Sequence, residues 1–323
     1  MEAVPKRRLE LFSGRTHPEL AEEIAASLGV EVGEAHLTEF ADGQIHCRYD
    51  DSIRGSDVFI VQSHCRPVND SIMEQLIMID AAKRASAHQI IAVCPYYGYS
   101  RQDRKSLGRE PITAKLLADL LTAAGATRVV SIDLHSGQIQ GFFDFPVDHL
   151  TAAPVLLTYL SQHNPEDIVI VSPDAGRVKV AERFAQQLGA DLAFVHKRRP
   201  KGQINTVEAL EVIGSVSGRR CVIIDDMIDT AGTVCAAATR LVESGATEVW
   251  VMATHAVLSD PARDRLAASP ISRVIVTNTL PIDPDRPLRG LEVLSVATVI
   301  ADAISAVFMD SSVSEIFGGQ NLS

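Results

Sequence analysis

The stretch with the most evident chemistry is residues 221–233, which read Cys-Val-Ile-Ile-Asp-Asp-Met-Ile-Asp-Thr-Ala-Gly-Thr. The apolar run Val222–Ile224 predicts a buried strand that ends on two adjacent carboxylates, Asp225-Asp226. A turn of small residues, Asp229–Thr233, leads into a helical pattern, and such a helix N-terminus offers backbone N–H groups to a phosphate. Two acids would repel that phosphate, so they are better suited to accept hydrogen bonds from vicinal hydroxyls. A phosphorylated sugar carries both groups. A helix cap beside an ordinary turn is the alternative.

Four more polar stretches directly follow predicted strands. They read Tyr-Tyr-Gly-Tyr-Ser-Arg-Gln-Asp-Arg-Lys over 96–105, Asp-Leu-His over 133–135, Ser-Pro-Asp-Ala-Gly-Arg over 172–177 and His-Lys-Arg-Arg-Pro-Lys-Gly over 196–202. In α/β sheets, ligands bind outside the carboxyl ends of the strands. Arginine binds phosphates bidentately and stacks on flat rings. Taken singly, these stretches also fit solvated basic turns, a structural histidine and an aspartate that caps a helix.

Together and in this order, the segments resemble the ribose-phosphate diphosphokinases (PRPP synthetases) over Leu11–Phe317. The resemblance implies an α/β fold of two tandem phosphoribosyltransferase-like domains, 1–150 and 151–323, each a mostly parallel sheet flanked by helices. It also implies transfer of the β,γ-diphosphoryl group of ATP to the anomeric hydroxyl of ribose 5-phosphate, giving AMP and 5-phosphoribosyl 1-diphosphate.

The same resemblance implies a role for each matched position. ATP would be bound by Phe40, Asp42, Gly43, Gln44, Arg101, Gln102 and Asp103, with the 40–44 segment reaching the adenine from a neighbouring subunit. Ribose 5-phosphate would be bound by Arg199, Asp225, Asp226, Asp229, Thr230, Ala231, Gly232 and Thr233. Lys197 and Arg199 would stabilise the transition state of the transfer, and His135 and Asp174 would serve Mg2+.

Three positions depart from the family pattern. Gln44 stands where a glutamate is common, and Arg177 and Val180 stand where many members have a glycine and an arginine. Either Arg177 supplies the missing cation from a shifted position, or this loop is built differently.

Two other functions share part of the pattern. A phosphoribosyltransferase would share the 222–233 loop but would leave the 96–105 loop and the Lys-Arg-Arg-Pro run unexplained. A catalytically silent regulatory homologue is disfavoured because His135, Lys197, Arg199 and Asp225 are all present.

The resemblance also implies regulation and assembly. Phosphate would activate the enzyme and ADP would inhibit it at an interface that includes Ser52, Arg54, Ser312, Ser314 and Phe317. A cytoplasmic homo-oligomer is expected, and the family forms hexamers.

Hydrophobic patterning indicates how these loops are positioned. Continuous apolar runs are typical of parallel strands that are buried on both faces, and they occur at Val58–Val61, Ile90–Val93, Val129–Ile132, Ile168–Val171, Leu192–Val195, Val222–Ile224, Val249–Met252 and Val274–Val276. Helical periodicity separates the runs, and helices are predicted to start near Asn69 and Thr151. Alternation at Ile45, Cys47 and Tyr49 indicates a hairpin that stands off the sheet.

Composition excludes several classes of protein. The 323 residues carry a formal charge of −11, which argues against nucleic-acid binding. No apolar stretch approaches the roughly 20 residues of a membrane span, and the start of the chain does not read as a secretory signal. Five scattered cysteines are typical of a reducing compartment rather than of a disulfide framework.

Overall fold

The computed structural model describes residues 7–198 and 209–317. Their packing divides the chain into two compact units. The first unit runs to Thr151 and includes 279–281 and the described part of 296–323, whereas the second covers Ala152–Asn278 and 282–295. The division after Thr151 falls one residue from the expected one. The return of the C-terminal segment to the first unit differs from the expected 151–323 domain.

The first unit contains a five-stranded, fully parallel sheet and a separate hairpin among its described residues. Its strands are β1 (Leu9–Ser13), β2 (Ala35–Glu39), β3 (Ile45–Tyr49), β4 (Asp57–Val61), β5 (Gln89–Cys94), β6 (Arg128–Ile132) and β7 (Val147–Leu150). Its first three helices are α1 (Pro18–Leu28), α2 (Val68–Arg84) and α3 (Thr113–Ala124). The strand order in the sheet is β1-β4-β5-β6-β7.

The second unit contains a seven-stranded sheet in the order β10-β9-β8-β11-β12-β13-β14. Its strands are β8 (Ile168–Ser172), β9 (Asp191–Arg198), β10 (Ala209–Ile213), β11 (Arg220–Ile228), β12 (Glu248–Ala256), β13 (Ile271–Thr277) and β14 (Leu291–Leu294). Its helices are α4 (Ala153–Ser161), α5 (Val178–Leu188), α6 (Gly232–Glu243) and α7 (Ala262–Ala267). All pairings are parallel except that of β10 with β9.

Helix α8 (Ala297–Phe308) explains why the end of the chain packs with the first unit. Eight of its twelve residues are buried, Ile300 and Ile304 among them, so it is apolar around most of its circumference. Such a helix needs apolar partners on several sides. It packs on α1 and β7 of the first unit. Hydrophobic periodicity shows that α8 must be buried but does not indicate which sheet buries it.

The structure confirms the predicted parallel strands and the hairpin. Every residue of β4 and β8 is buried, as continuous apolar runs indicate. The hairpin β2–β3 pairs antiparallel and belongs to neither large sheet. Tyr49 anchors it, because its ring lies 4.5 Å from that of Phe12 and its hydroxyl donates to the Met78 carbonyl. Cys94 and Cys221 are fully buried, as predicted.

Some boundaries and elements differ from the prediction. Strands β1, β7, β10 and β14 were not predicted, since their short sequences mix polar with apolar residues. Helix α2 begins at Val68, one residue before the predicted start, and Pro154 lies in the first turn of α4, just after Thr151. In the described ranges, no helix has both the length and the apolar character that crossing a membrane requires.

Candidate functional site

The chain order of strands creates a switch point in the second unit, between β8 and β11. From β8 the chain continues to β9 on one side, whereas β11 lies on the other. Crevices that bind ligands form at such points, outside the carboxyl ends of the strands. The loops that follow β8 and β11 are those that contain Asp174 and Asp229–Thr233. The topology therefore places two of the predicted loops at one edge of one sheet.

Strand β11 continues beyond the point that the apolar run predicts. It ends at Ile228 rather than at the two acids, because the long neighbour β12 pairs with it as far as Ile228 opposite Ala256. Strand β8, in contrast, pairs only with residues 220–223 of β11. The acids Asp225 and Asp226 therefore lie within a strand whose β8 side is no longer covered by a strand.

The turn after β11 has features that suit a helix N-terminus for an anion. Ala231 adopts a left-handed conformation with φ of 59°, although it is not a glycine, and it is 5 % exposed. A non-glycine residue held in this region indicates a constrained, functional loop. Helix α6 then begins at Gly232, its first turn contains no acidic residue, and its first backbone N–H groups lack intrahelical acceptors. Arg265 of α7 donates to the Thr230 carbonyl at 3.0 Å and holds the turn.

The acid pair lies beside this turn and is largely buried. The side chains of Asp225 and Asp226 are 17 % and 7 % exposed. The Asp226 backbone N–H donates to Asp225 Oδ1 at 2.9 Å. Burial, and then the neighbouring Asp226 carboxylate, raise the pKa of Asp225, while Arg177 lowers it. The sequence places the two acids next to the turn, but it does not indicate these opposing effects on the pKa of Asp225.

In the loop after β8, Asp174 forms hydrogen bonds with residues of the same segment. Asp174 Oδ1 accepts the Gly176 N–H at 2.8 Å, and its carbonyl accepts the Ser172 hydroxyl at 2.6 Å. Helix α5 begins later, at Val178, with no side-chain cap. The alternative of Asp174 as a helix cap is therefore wrong. Arg177 occupies the position before the helix and turns its guanidinium to Asp225 and Asp226.

The basic run partly belongs to a strand rather than to a loop. Strand β9 extends to Arg198, so the backbone of Lys197 pairs opposite Leu210 of β10 instead of following the strand end predicted at Val195. The extension arises because β10, which was not predicted, provides an antiparallel partner. Arg199 and the residues up to 208 lie outside the described residues.

In the first unit, the loop after β5 borders a cavity of about 510 Å3. Its rim includes the predicted residues Arg101 and Gln102, and it also includes Asn69 and Asp70 from the start of α2. Gln102 is fixed in place, because its Oε1 accepts the Thr113 hydroxyl at 2.6 Å. The sequence pattern at residues 69 and 70 indicates only a helix start. Their position just after β4, at the same edge, was the signal that could have placed them in a site.

A buried histidine supports this loop. His64 is fully buried, and burial lowers its pKa to about 4, so the ring is neutral. Its Nδ1 accepts the Gly98 N–H at 2.9 Å, and its Nε2 lies 2.8 Å from Gln75 Oε1. The loop that carries Arg101 and Gln102 therefore rests on a fixed imidazole, which sequence reasoning missed.

The resemblance assigns this loop to ATP, and on that assignment we expect replacement of Gly98 with alanine to raise the KM for ATP about tenfold. A Cβ at this position would lie 2.9 Å from His64 Cβ and 3.2 Å from Ile72 Cδ1, so the loop must shift. Overpacking of this kind costs about 1–3 kcal/mol. Steady-state kinetics with ATP varied would measure the shift. Gly108→Ala is the matched control, because nothing lies within 4 Å of a Cβ there. Equal KM values in the two variants would contradict the proposed support role.

His135 lies in the loop that directly follows β6. Asp133 in the same loop has φ of 39° and is one of eight described non-glycine residues with a positive φ. His135 is partly buried, and the Leu134 N–H donates to His149 Nε2 at 2.8 Å. Among the described residues, no three potential metal ligands of the His, Cys, Asp or Glu type cluster together. Mg2+ needs few protein ligands, because it retains waters and phosphate oxygens. A single imidazole such as that of His135 fits this limited demand.

The predicted adenine platform lies at the tip of the hairpin. Phe40 is 57 % exposed, and its ring contacts that of His46 edge-on at 5.9 Å. Gln44 Nε2 donates to Asp42 Oδ2 at 2.7 Å, so the two polar residues of the tip form one unit, with Gly43 between them at φ of 87°. An exposed ring beside fixed polar groups suits stacking on a flat base.

Four of the five residues expected to bind effectors, Ser52, Arg54, Ser312 and Ser314, are exposed and belong to the first unit. The hydroxyls of Ser312 and Ser314 lie 2.8 Å apart, and Arg8 donates to the Ser52 carbonyl at 2.7 Å. Arg54 is exposed, whereas the side chain of Phe317 lies outside the described residues.

Arg7 is a connection that sequence reasoning missed. Its guanidinium pairs with Asp57 at 2.8 Å and with Asp310 at 2.9 Å, and it donates to the Phe308 carbonyl. It therefore ties the start of β4 to the end of α8.

Comparison with known proteins agrees with this geometry. Residues 9–125 match the family model of the N-terminal domain of ribose phosphate pyrophosphokinase, and residues 197–318 match that of the phosphoribosyl synthetase-associated domain. A ribose-phosphate pyrophosphokinase of Streptomyces coelicolor is 54% identical over 98% of both chains. The chain belongs to the ribose-phosphate pyrophosphokinase family.

Other relatives agree with this membership. A ribose-phosphate pyrophosphokinase of Bifidobacterium longum is 52% identical over 98% of this chain and 94% of its own. A crystal structure of phosphoribosylpyrophosphate synthetase from Mycobacterium smegmatis matches with a TM-score of 0.89 at 52% identity, covering 94% of this chain and 100% of that one. The predicted family, the α/β fold class and the assignment to a transferase of nucleotide biosynthesis are confirmed.

Proposed function

We propose that the chain transfers the β,γ-diphosphoryl group of ATP to the anomeric hydroxyl of ribose 5-phosphate. The observation that carries the proposal is the edge formed by β11. There, a buried acid pair, Asp225-Asp226, is followed three residues later by the turn at Asp229, which leads into helix α6 at Gly232. A sugar phosphate presents hydroxyls and a phosphate together, and membership of the family supplies the reaction.

Two groups at this edge bind the sugar phosphate: the acid pair and the turn that follows it. Asp225 and Asp226 accept hydrogen bonds from its vicinal hydroxyls, because an ionised carboxylate only accepts. Its 5-phosphate receives the backbone N–H groups of residues 229–233, with hydroxyl donors at Thr230 and Thr233. Arg199 is assigned here by family resemblance.

The nucleotide is held by Arg101, Gln102 and Asp103 beside the cavity of the first unit. Arg101 is exposed, and a guanidinium binds phosphate oxygens bidentately. Phe40, Asp42, Gly43 and Gln44 are assigned to the adenine of a neighbouring subunit, which an exposed Phe40 supports. This assignment requires a homo-oligomer, and we propose the hexamer of the family, in the cytoplasm, with the five cysteines as free thiols.

The transfer needs no covalent intermediate with the protein. The anomeric oxygen of the sugar attacks the β-phosphorus of ATP in line, the bond to the α-phosphate oxygen breaks, and AMP leaves. Lys197 and Arg199 stabilise the negative charge that develops on the oxygens of the transferring group. His135 would serve the Mg2+ bound to ATP, and Asp174 would serve a second Mg2+ site. Such ions would neutralise phosphate charge and would bind largely through phosphate oxygens and water.

We expect phosphate to raise the rate severalfold, with ADP opposing it. Arg54→Gln removes an exposed cation from the assigned effector residues, so half-maximal activation should require several times more phosphate. Initial rates measured against phosphate concentration test this. Arg48→Gln, which loses a surface ion pair with Asp50, is the control. A flat response in the unmodified enzyme would contradict the regulatory assignment.

An assay of AMP release separates the proposed function from its alternatives. We expect AMP to form only when both ATP and ribose 5-phosphate are present. A phosphoribosyltransferase would release diphosphate from 5-phosphoribosyl 1-diphosphate and a base without consuming ATP. A silent homologue would release nothing. Either of those outcomes would overturn the proposal.

A further inference from the structure

Arg177, one of the positions at which this chain departs from the family pattern, has no role in the reaction as described above. Its guanidinium is 19 % exposed and contacts both acids of the sugar site. Nε lies 3.5 Å from Asp225 Oδ1, and an Nη2 contact is made to Asp226 Oδ2. One arginine thus spans two adjacent carboxylates.

The sheet explains how a single side chain reaches both. Successive residues of a strand point to opposite faces, so Asp225 and Asp226 would normally face different surroundings. Because β8 ends at Ser172, the edge of β11 beyond residue 223 is open on that side. Arg177 comes from the loop after β8 and occupies this opening. The Asp225 side chain also turns back to accept the Asp226 N–H.

The acids need such a cation. Two neighbouring carboxylates in a buried site repel each other, and burial itself disfavours the charged form. Among the described charged groups, the Asp226 carboxylate raises the pKa of Asp225, and the Arg177 guanidinium lowers it. On the adjacent strand β12, the buried His255 pairs opposite Met227, two residues beyond Asp225. Arginine remains charged at any physiological pH, so its contribution does not titrate away.

We propose that Arg177 is a positioning residue that weakens the repulsion between the Asp225 and Asp226 carboxylates and orients both to accept the hydroxyls of the sugar. The inference rests on the proposed function, in that it takes the acid pair as the site of the sugar hydroxyls. In this proposal the Arg177 guanidinium, from the loop after β8, binds the acids of the neighbouring strand β11 rather than a phosphate of the substrate.

The test compares Arg177→Gln and Arg177→Lys with the unmodified enzyme between pH 6 and pH 9. Without the guanidinium the pair holds a proton to higher pH, so fewer acceptors face the sugar at neutral pH. We expect Arg177→Gln to raise the KM for ribose 5-phosphate about tenfold at pH 7, which corresponds to one pKa unit. The KM should fall as pH rises, and this fall should be displaced to higher pH. The value of kcat and the KM for ATP should change less than about threefold.

Arg177→Lys separates charge from shape. It should recover part of the loss, because it keeps the charge but not the two-carboxylate reach of the guanidinium. If Arg177→Gln does not fold, the lysine variant gives the same comparison with a smaller shift. Arg240→Gln is the control, because it removes an exposed arginine paired with Glu243 on α6 of the same unit. An unchanged or lower KM for ribose 5-phosphate in Arg177→Gln would overturn the inference, as would a loss confined to kcat.

Binding measured without turnover keeps the two proposals apart. Calorimetric titration of the full chain with ribose 5-phosphate alone should show the same weakening in Arg177→Gln. If the unmodified protein binds the sugar phosphate but forms no AMP, the proposed function fails while the role of Arg177 is still tested. If turnover occurs and the affinities match, the inference fails and the function stands.

Discussion

Lys197→Ala is expected to lower kcat about 10³-fold while leaving both KM values within a few-fold of the unmodified enzyme. Removing one preorganised donor to developing charge typically costs 10²–10³ in kcat, and a cation on a transferring phosphoryl group costs as much or more. The net charge of −11 repels anions from the protein as a whole. A run of cations is therefore needed next to the phosphates to attract them. Initial rates of AMP release at saturating ATP and ribose 5-phosphate measure the effect.

The control for this experiment is Lys83→Ala, which removes an exposed lysine near the end of α2. It should retain full activity. Because the backbone of Lys197 lies within β9, a circular dichroism spectrum and melting temperature should accompany the kinetics. A kcat within threefold of that of the unmodified enzyme would contradict the assignment of Lys197 to transition-state stabilisation.

Asp226→Asn is expected to raise the KM for ribose 5-phosphate by about 10- to 100-fold. A hydrogen bond to a charged group contributes about 1.5–3 kcal/mol, and each 1.4 kcal/mol is a tenfold change in affinity. The amide keeps the shape of the side chain but replaces one acceptor oxygen by a donor. Kinetics with the sugar phosphate varied, at saturating ATP, measure the change, and Asp225→Asn should behave similarly.

The KM for ATP should stay nearly constant in both variants, since Arg101 and Gln102 belong to the first unit. Glu182→Gln makes the same chemical change at an exposed position on α5 and should leave both KM values unaltered. An increase in the KM for ATP that matches the increase for the sugar would show that the acids do not act on the sugar hydroxyls.

Much of the site follows from the sequence because its loops lie where strands end. Apolar runs such as Ile168–Val171 and Val222–Ile224 are long and continuous, so buried parallel strands were predictable, and with them the edge at which polar loops meet. The small residues from Asp229 to Thr233 predict a phosphate-binding turn, with an ordinary turn beside a helix cap as the alternative. Assigning ATP, Mg2+ and the neighbouring subunit required the family resemblance.

What the sequence did not reveal depends on packing between distant segments. Strand β11 extends past its apolar run because β12 pairs with it to Ile228. Arg177 meets the acids because β8 stops short of them. His64 supports the Gly98 loop through a contact 34 residues apart in the chain. In each case the structure of one segment depends on a partner that is distant in the sequence. The residues of the segment alone therefore do not predict it.

The most direct measurement is a 31P nuclear magnetic resonance record of a reaction that contains ATP, Mg2+ and ribose 5-phosphate. The account predicts that the three ATP resonances are replaced by that of AMP and, in equal amount, by the coupled pair of a diphosphate ester on the sugar. The 5-phosphate resonance should persist. Formation of ADP, or of AMP with free diphosphate and unchanged ribose 5-phosphate, would contradict it.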